Sequence, residues 1–269
     1  MGQIPSPSPK KSLGQHWLHD QDSLEAMVAA ASVQSNDTVL EIGPGQGALT
    51  AVLVEHGANI QALEFDSGLI SVLQNRFRNL LSDQLKVKQG DIRVFDFNAM
   101  PEPYKIVANI PYYLTANLMR RLSEPQTHKP LIAALLMQKE VAVRVAAQPG
   151  SMAFISVAVQ LYYQATLGRE VPAELFTPPP KVDSQILILK RHPKPLFTDI
   201  ETSDFLRFVK FGFAQRRKTL LNNLISGLHL SRDQVQAICQ KAGIDPTRRP
   251  QTLSIDEWHV IYLAQHLER

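Results

Sequence analysis

Short apolar runs alternate along the first part of the chain with longer stretches whose apolar positions follow helical spacing. The runs predict buried β-strands, and the intervening stretches predict amphipathic helices. Strands that alternate with helices favour a mostly parallel sheet with helices on both faces. We therefore predict a doubly wound α/β domain with seven strands, at residues 38–43, 59–66, 86–91, 105–111, 130–138, 153–165 and 185–190.

The pattern changes after residue 192. The stretch HPKPLF (192–197) has the composition of a linker, and the apolar spacing beyond it is helical throughout. This change predicts an α/β domain over residues 12–192 and a small all-α domain over residues 197–269. Residues 1–11 are rich in Pro, Ser and Lys, which predicts a disordered tail.

Composition narrows the class of protein without choosing a function. With 44% hydrophobic and 20% charged residues, the chain is typical of a globular protein. The single cysteine, Cys239, excludes an internal disulfide and a thiolate zinc cluster, and we predict no metal site. No apolar run is long enough to cross a membrane, and no signal peptide is recognisable, so we expect a cytoplasmic protein with no membrane partner.

The net charge of +3 is small, but the charges are unevenly distributed. Between Lys190 and Lys218 there are eight Lys or Arg residues and three Asp or Glu residues. Such a local excess suggests a polyanionic partner such as a nucleic acid. A solvated basic surface is the alternative interpretation.

A glycine-rich stretch, EIGPGQGALT (41–50), lies between the first predicted strand and its helix. Glycines such as Gly43 and Gly45 let a ligand approach the backbone, beside the N–H groups that begin the helix. Glu64 and Asp91 end the second and third strands. An acid at the first of these places can bind a ribose diol, and we expect Asp91 to reach a nucleobase amine.

Two cofactors suit this arrangement, a nicotinamide dinucleotide and S-adenosylmethionine. The acid Glu41 lies two residues before the first glycine. A carboxylate there would oppose a pyrophosphate, whereas S-adenosylmethionine has no phosphate and carries positive sulfonium and ammonium groups. The sequence therefore favours S-adenosylmethionine and leaves a dehydrogenase as the alternative.

The stretch ANIPYYL (108–114) ends the fourth strand with an amide, a proline and two aromatic rings. Pro111 stiffens the loop, Asn109 offers an oxygen acceptor, and Tyr112 or Tyr113 offers a ring for stacking. An acceptor that holds a hydrogen of an adenine amine can localise the nitrogen lone pair for attack on a methyl group. Methyl transfer would then depend mainly on positioning. An Asn-Pro turn with two packed tyrosines is the alternative interpretation.

Eight motifs in order make the chain resemble the bacterial small-subunit ribosomal RNA adenine dimethyltransferases, the KsgA/RsmA family. The resemblance implies a Rossmann-like class I S-adenosylmethionine-dependent methyltransferase domain with a final antiparallel strand, followed by a helical domain. It also implies dimethylation of two adjacent adenosines in the 3′-terminal hairpin of small-subunit ribosomal RNA, on a pre-assembled small subunit. S-adenosylhomocysteine would be the product, and we expect a monomer. The motifs are SLGQHWLHD (12–20), LEIGPGQGALT (40–50), ALEFD (62–66), GDIRVFDF (90–97), ANIPYYL (108–114), LFTPPPKVDS (175–184), FAQRRKTLLNNL (213–224) and RRPQTLSIDEW (248–258).

The resemblance also assigns roles to residues. Asn109 would hold the target amine, Tyr112 would stack on the target adenine, and Phe176 would form the second aromatic wall. His16 and Trp17 depart from the family, which usually has Asn before an aromatic residue there. Cofactor contacts would fall on His16, Leu18, Gly43, Gly45, Glu64, Asp91 and Asn109. Basic residues expected to bind RNA, three of them on a helix, are Lys181, Arg216, Arg217, Lys218 and Arg248.

Three other functions remain open from the sequence. A large-subunit ribosomal RNA adenine methyltransferase would share the fold and the Asn-x-Pro-Tyr loop. A ribosome-assembly factor that had lost its chemistry would keep the fold but would have no need of the intact set of glycines, acids and Asn109. A nicotinamide dehydrogenase would bind NAD rather than S-adenosylhomocysteine.

Overall fold

A computed structural model describes residues 8–10, 13–81, 84–124 and 128–266. The chain forms two compact units, Met1–Val143 with Tyr163–Arg191, and Arg144–Tyr162 with His192–Arg269. Most of the predicted disordered tail lies outside the described residues. Of its described residues, Lys10 makes an ion pair with Asp66.

The described residues of the first unit form nine strands and the helices between them. The strands are β1 (Trp17–Leu18), β2 (Thr38–Ile42), β3 (Asn59–Glu64), β4 (Leu85–Gln89), β5 (Tyr104–Asn109), β6 (Ile132–Gln138), β7 (Tyr163–Val171), β8 (Phe176–Thr177) and β9 (Ser184–Arg191). The helices up to the second unit are α1 (Gln21–Ala30), α2 (Ala48–Glu55), α3 (Ser67–Arg76), α4 (Thr115–Leu122) and α5 (Lys139–Val145).

Seven strands form one sheet in the order β4-β3-β2-β5-β6-β9-β7. The neighbours from β4 to β6 pair in parallel, and β9 runs antiparallel to both β6 and β7. A separate short sheet joins β1 to β8. The fold class is thereby confirmed as a mostly parallel, Rossmann-like sheet with an antiparallel strand near one edge.

The chain order reverses at β2, which lies between β3 and β5. Helices on opposite sides of the sheet leave a crevice beyond the carboxyl ends of the strands at such a reversal. Residues that follow β2, β3 and β5 therefore meet at one edge. That edge includes the glycine turn, Glu64 and Asn109.

The segment 153–165 does not form the predicted strand. It begins as helix α6 (Phe154–Gln160), and β7 starts only at Tyr163. A short apolar run has no period that separates a buried strand from a buried helix, so the sequence could not distinguish the two. In the structure α6 places Val157 in the helical core together with Phe205.

The second unit is helical, but it is not continuous in sequence. Arg144–Tyr162 belongs to it together with His192–Arg269, so the predicted α/β domain over residues 12–192 is interrupted. The core of this unit surrounds the fully buried Trp258. Its remaining helices are α7 (Thr202–Gly212), α8 (Leu220–Leu228), α9 (Arg232–Lys241) and α10 (Ile255–His266).

No helix in the described part of the chain is both long and apolar enough to span a membrane.

Candidate functional site

A pocket opens at the carboxyl edge of the sheet, where the glycine turn leaves β2. Gly45 and Gly47 both have positive φ, +59° and +84°, which L side chains rarely adopt. A Cβ atom on Gly47 would also lie 2.6 Å from Cε2 of Phe77, so a larger residue does not fit there. Gly43 and Gly45 both line the pocket, as the sequence predicted for a ligand-binding turn.

Glu64 ties the end of β3 to this turn. One carboxylate oxygen accepts a hydrogen bond from the Gly45 N–H at 3.1 Å, and the other accepts one from the Asp66 N–H at 2.8 Å. Burial raises the pKa of Glu64, and the two backbone donors partly offset that effect. Each oxygen keeps a further lone pair with which it can accept a ligand hydroxyl.

Glu41 is a buried acid that the sequence connected with the turn but not with a defined contact. Its Oε2 accepts a hydrogen bond from the Thr50 hydroxyl at 2.7 Å. Its Oε1 is buried and has no hydrogen-bond partner among the described residues. Burial, with a smaller contribution from Glu64, raises the pKa of Glu41 to about 8. The residue lines the pocket, so a cationic ligand group there would favour its ionised form.

Asp91 lines the pocket beyond β4 and forms an ion pair with Arg93 at 2.6 Å. The Arg93 Nε also donates to both carboxylate oxygens, at 3.0 and 2.8 Å. The side-chain hydrogen bond from Arg93 lowers the pKa of Asp91. Sequence reasoning missed Arg93, although it lies two residues after Asp91 in the motif GDIRVFDF.

Asn109 is the last residue of β5 and faces the same pocket. Its Nδ2 donates to the His16 carbonyl oxygen at 3.3 Å. Since the nitrogen is engaged, the identity of the amide ends is fixed, and Oδ1 remains as the acceptor. The contact leaves Oδ1 free to accept a hydrogen bond from a ligand, and its predicted contact with a target amine stays a prediction.

Tyr112 follows Asn109 and is held at both its ring and its hydroxyl. The ring stacks against His16 with centroids 5.8 Å apart, and the hydroxyl lies 2.9 Å from the Ser184 Oγ. These contacts fix the plane of a half-buried ring that lines the pocket. Ser184, which ends the motif LFTPPPKVDS, is a supporting residue that sequence reasoning missed.

The remaining predicted contacts come from the short sheet. The His16 Nδ1 lies 2.7 Å from the Pro178 carbonyl oxygen, so this nitrogen carries a proton and donates it. Leu18 pairs with Phe176 across β1 and β8. His16, Leu18 and Phe176 all line the pocket. Phe176 is only 3% exposed, so its predicted contact with a target base remains a prediction.

The basic triplet Arg216–Lys218 does not lie on a helix as predicted. It forms an exposed turn between α7 and α8. The buried Asn223 holds this turn, because its amide accepts from the Gln215 N–H at 3.0 Å and donates to the Gln215 carbonyl at 3.1 Å. Lys181 is exposed as well, but it belongs to the first unit.

Arg248, also predicted to bind RNA, is engaged within the second unit. Its guanidinium donates to both carboxylate oxygens of Glu257, at 2.5 and 3.1 Å, and to the Thr252 carbonyl at 2.7 Å. The Arg248 Nε bonds to the Thr252 hydroxyl. These bonds use both edges of the guanidinium, so the geometry favours a structural role over phosphate binding.

No group of three or more His, Cys, Asp or Glu residues in the described ranges could hold a metal ion.

Comparison with known proteins identifies the family of the chain. The family model for ribosomal RNA adenine dimethylase matches residues 7–265. The chain belongs to the ribosomal RNA adenine dimethylase family. A protein named ribosomal RNA small subunit methyltransferase A, from Dehalococcoides mccartyi strain 195, is 38% identical over 261 residues, which cover 95% of this chain and 88% of that protein. The protein of the same name from Lactobacillus acidophilus is 39% identical over 269 residues, covering 93% and 88%.

Solved structures agree in fold. A dimethyladenosine transferase from Plasmodium falciparum superposes with a TM-score of 0.81 at 24% identity, covering 94% of this chain and 98% of that one. The 23S rRNA methyltransferase ErmE superposes with a TM-score of 0.75 at 23% identity, covering 93% and 99%. Membership of the family confirms the predicted enzyme class, a ribosomal RNA adenine methyltransferase.

Proposed function

We propose that this enzyme transfers methyl groups from S-adenosylmethionine to the exocyclic amines of two adjacent adenosines in the 3′-terminal hairpin of small-subunit ribosomal RNA. Its substrate is a late assembly intermediate of the small subunit. The observation that carries the proposal is the oriented Asn109 oxygen, which lies in the same pocket as Glu41 and Glu64. The relatives named ribosomal RNA small subunit methyltransferase A support the choice of subunit.

The residues in the pocket fit S-adenosylmethionine better than a dinucleotide. Two buried glutamates face the glycine turn, and one of them has an oxygen without a described partner. A pyrophosphate beside them would further disfavour their ionised forms, whereas cationic sulfonium and ammonium groups would favour those forms. We propose that Glu64 accepts hydrogen bonds from the ribose hydroxyls of the cofactor and that Asp91 accepts a hydrogen bond from its adenine amine. His16, Leu18 and the glycines complete the cofactor contacts.

When bound, S-adenosylmethionine supplies an activated methyl group on sulfur. Asn109 Oδ1 accepts a hydrogen from the target adenine amine and directs the nitrogen lone pair toward that methyl carbon. Transfer of that methyl group to the amine nitrogen would leave S-adenosylhomocysteine as the product. The methylated nitrogen becomes acidic and releases its proton to water, so the pocket needs no strong base. Tyr112, with Phe176 opposite, stacks on the base, and positioning supplies most of the rate.

The second unit contributes affinity for the ribosomal particle. We propose that Arg216, Arg217 and Lys218 contact phosphates, joined by Lys181 of the first unit. Such contacts position the protein without reading the base sequence. Arg248 is left out because Glu257 and Thr252 already engage its guanidinium. We further propose that the enzyme acts as a monomer in the cytoplasm, where small subunits assemble.

The test is transfer of radiolabelled methyl groups to small subunits that lack adenine dimethylation. Naked small-subunit RNA and large subunits serve as the comparison substrates. Incorporation of two methyl groups on each of two adenosines, with little label elsewhere, would support the proposal. Label mainly in large subunits would replace the proposed substrate with a large-subunit adenine. No label anywhere, with S-adenosylhomocysteine still bound, would favour an assembly factor.

A further inference from the structure

One wall of the pocket is the segment Leu13–His16, and its two ends are held by different contacts. At its C-terminal end, β1 pairs with β8 and the Asn109 amide bonds to the His16 carbonyl. Before that point, the segment packs its Gly14 beside the Tyr113 ring. Among the described residues, Lys10 and Gln15 join this end to Asp66, the residue before helix α3.

Asp66 accepts three hydrogen bonds on its two carboxylate oxygens. Lys10 Nζ donates to Oδ1 at 2.7 Å, and the Gly68 N–H donates to the same oxygen at 3.0 Å. Gln15 Nε2 donates to Oδ2 at 3.2 Å. The Lys10 N–H also donates to Gln15 Oε1 at 2.8 Å, so the two donor residues are joined to each other.

Helix capping does not account for this arrangement. An N-cap residue needs one side-chain oxygen for the backbone of the helix that follows, and in α3 that bond is the one to Gly68. The remaining acceptor positions serve Lys10 and Gln15, which lie more than 50 residues earlier in the chain. The Asp66 side chain is 4% exposed, so burial disfavours its charge, yet these donors outweigh burial and lower the pKa of Asp66.

Asp66 is also joined to the cofactor side of the pocket. Its N–H donates to Glu64, whose other oxygen accepts from the Gly45 N–H. One short path therefore runs from Lys10 and Gln15 through Asp66 to the carboxylate that we assign to the ribose. Loss of the contacts of Lys10 and Gln15 with Asp66 would alter the wall of the pocket without removing any residue that we assign to the ligand.

We propose that Asp66 is a positioning residue that holds the segment Leu13–His16 against the bound cofactor through Lys10 and Gln15. The inference rests on the proposed use of S-adenosylmethionine. The expected consequence is slower release of cofactor and product, because His16 and Leu18 stay in place while the ligand is bound.

Two substitutions separate this role from capping. Asp66→Asn keeps an oxygen for Gly68, since Asn caps helices as well as Asp does, but it removes the charge opposite Lys10 and the acceptor for Gln15. Lys10→Met removes the same ion pair from the other side and keeps most of the side-chain length. Asp37→Asn is the matched control. Asp37 also pairs with a lysine at 2.7 Å, Lys105, and accepts a backbone N–H, but it lies before β2 at the opposite edge of the sheet.

Calorimetry would measure S-adenosylhomocysteine binding, and hydrogen exchange of residues 13–19 would be followed without ligand. We expect Asp66→Asn and Lys10→Met each to weaken binding on the order of tenfold, as expected for loss of a charge-assisted hydrogen bond. Each should also speed exchange in this segment. The double variant should do little more than Asp66→Asn alone, because Lys10→Met removes an ion pair that Asp66→Asn has already removed. Asp37→Asn should lower the melting temperature and leave both readouts unchanged.

Unchanged binding and unchanged exchange in Asp66→Asn would overturn the inference, even if the melting temperature fell. Effects that simply add in the double variant would also overturn it, since Lys10 and Asp66 would then act separately. Failure of the unaltered protein to bind S-adenosylhomocysteine would instead overturn the proposed cofactor. The exchange measurement would still decide whether Asp66 holds the segment.

Discussion

The pocket of the first unit and the basic turn of the second unit use polar side chains in opposite ways. In the pocket, Glu64 and Asn109 are fixed by backbone partners, so each presents a defined atom in a defined direction. In the turn, Asn223 holds the backbone and the cationic side chains extend into solvent. Methyl transfer requires precise orientation of the reacting groups, whereas electrostatic attraction to phosphates requires only positive charge close to them.

The largest effect should come from removing the oriented oxygen. We expect Asn109→Ala to reduce methyl transfer by at least about 10²-fold, comparable to loss of a single preorganised hydrogen-bonding group in other enzymes. Binding to the small subunit should be unchanged, and both are measured with purified subunits.

Asn59→Ala is the matched control. The Asn59 amide also donates to a backbone carbonyl, at 3.2 Å, but Asn59 is the first residue of β3 and lies at the edge of the sheet opposite to the pocket. It should methylate normally. If Asn109→Ala did so too, the role assigned to Asn109 would be wrong.

A smaller effect is expected from the basic turn. Arg216→Ala combined with Arg217→Ala should weaken binding to small subunits about tenfold and reduce the salt slope of log K by up to about 2, because each lost phosphate contact lowers the slope by about 0.9. The rate at saturating subunit should not change. Binding titrations over a series of salt concentrations would measure this.

The control removes two other exposed cations of the same unit, Arg207 and Arg232, both replaced by Ala. The net charge then changes equally while the turn stays intact. Equal losses in both double variants would mean that general charge, rather than the turn, attracts the particle.

The last prediction concerns stability rather than function, through Glu41 and the pH dependence of unfolding. Its pKa is raised from 4.5 to about 8 in the folded protein, chiefly by burial. Between these values the folded state holds more protons than the unfolded state, so the free energy of unfolding falls as pH rises, by at most about 1.4 kcal/mol per pH unit.

Glu41→Gln should remove this fall in the free energy of unfolding. Denaturant unfolding at several pH values between about 5 and 8 would then show a free energy of unfolding that changes less with pH. Glu55→Gln changes an exposed acid on the neighbouring α2 and should behave like the unaltered protein. A parallel profile for Glu41→Gln would mean that Glu41 is ionised in the folded state.

The comparison also shows what the sequence could predict. Strand ends and glycine turns follow from local pattern, so the sequence alone predicts that Gly43, Glu64 and Asn109 lie at the ends of strands. The partners that orient Asn109 and Tyr112 were not predictable, because His16 lies 93 residues from Asn109 and Ser184 lies 72 residues from Tyr112. Contacts at such separations depend on the folded topology, which no local pattern records.

The errors have related causes. The basic triplet was assigned to a helix because its flanking leucines have helical spacing, while the turn depends on the buried Asn223. Arg248 is a different case, because its contact with RNA stays a prediction; its partner Glu257 lies nine residues further along the chain and was not predicted. Residues 153–165 gave an apolar run that suits a strand or a helix equally, and packing in the second unit decided for a helix.

The position of β9 has a consequence for how the protein is made. This strand is the last of the sheet to be synthesised, yet it lies between β6 and β7. Until Arg191 has left the ribosome, the growing chain carries a long, apolar, unpaired edge on β6, a surface that invites pairing with other chains. Helices α5 and α6 and strand β7 are synthesised between β6 and β9. A chain that stalls before β9 is therefore expected to aggregate, and the enzyme would depend on rapid translation or on chaperones across this stretch.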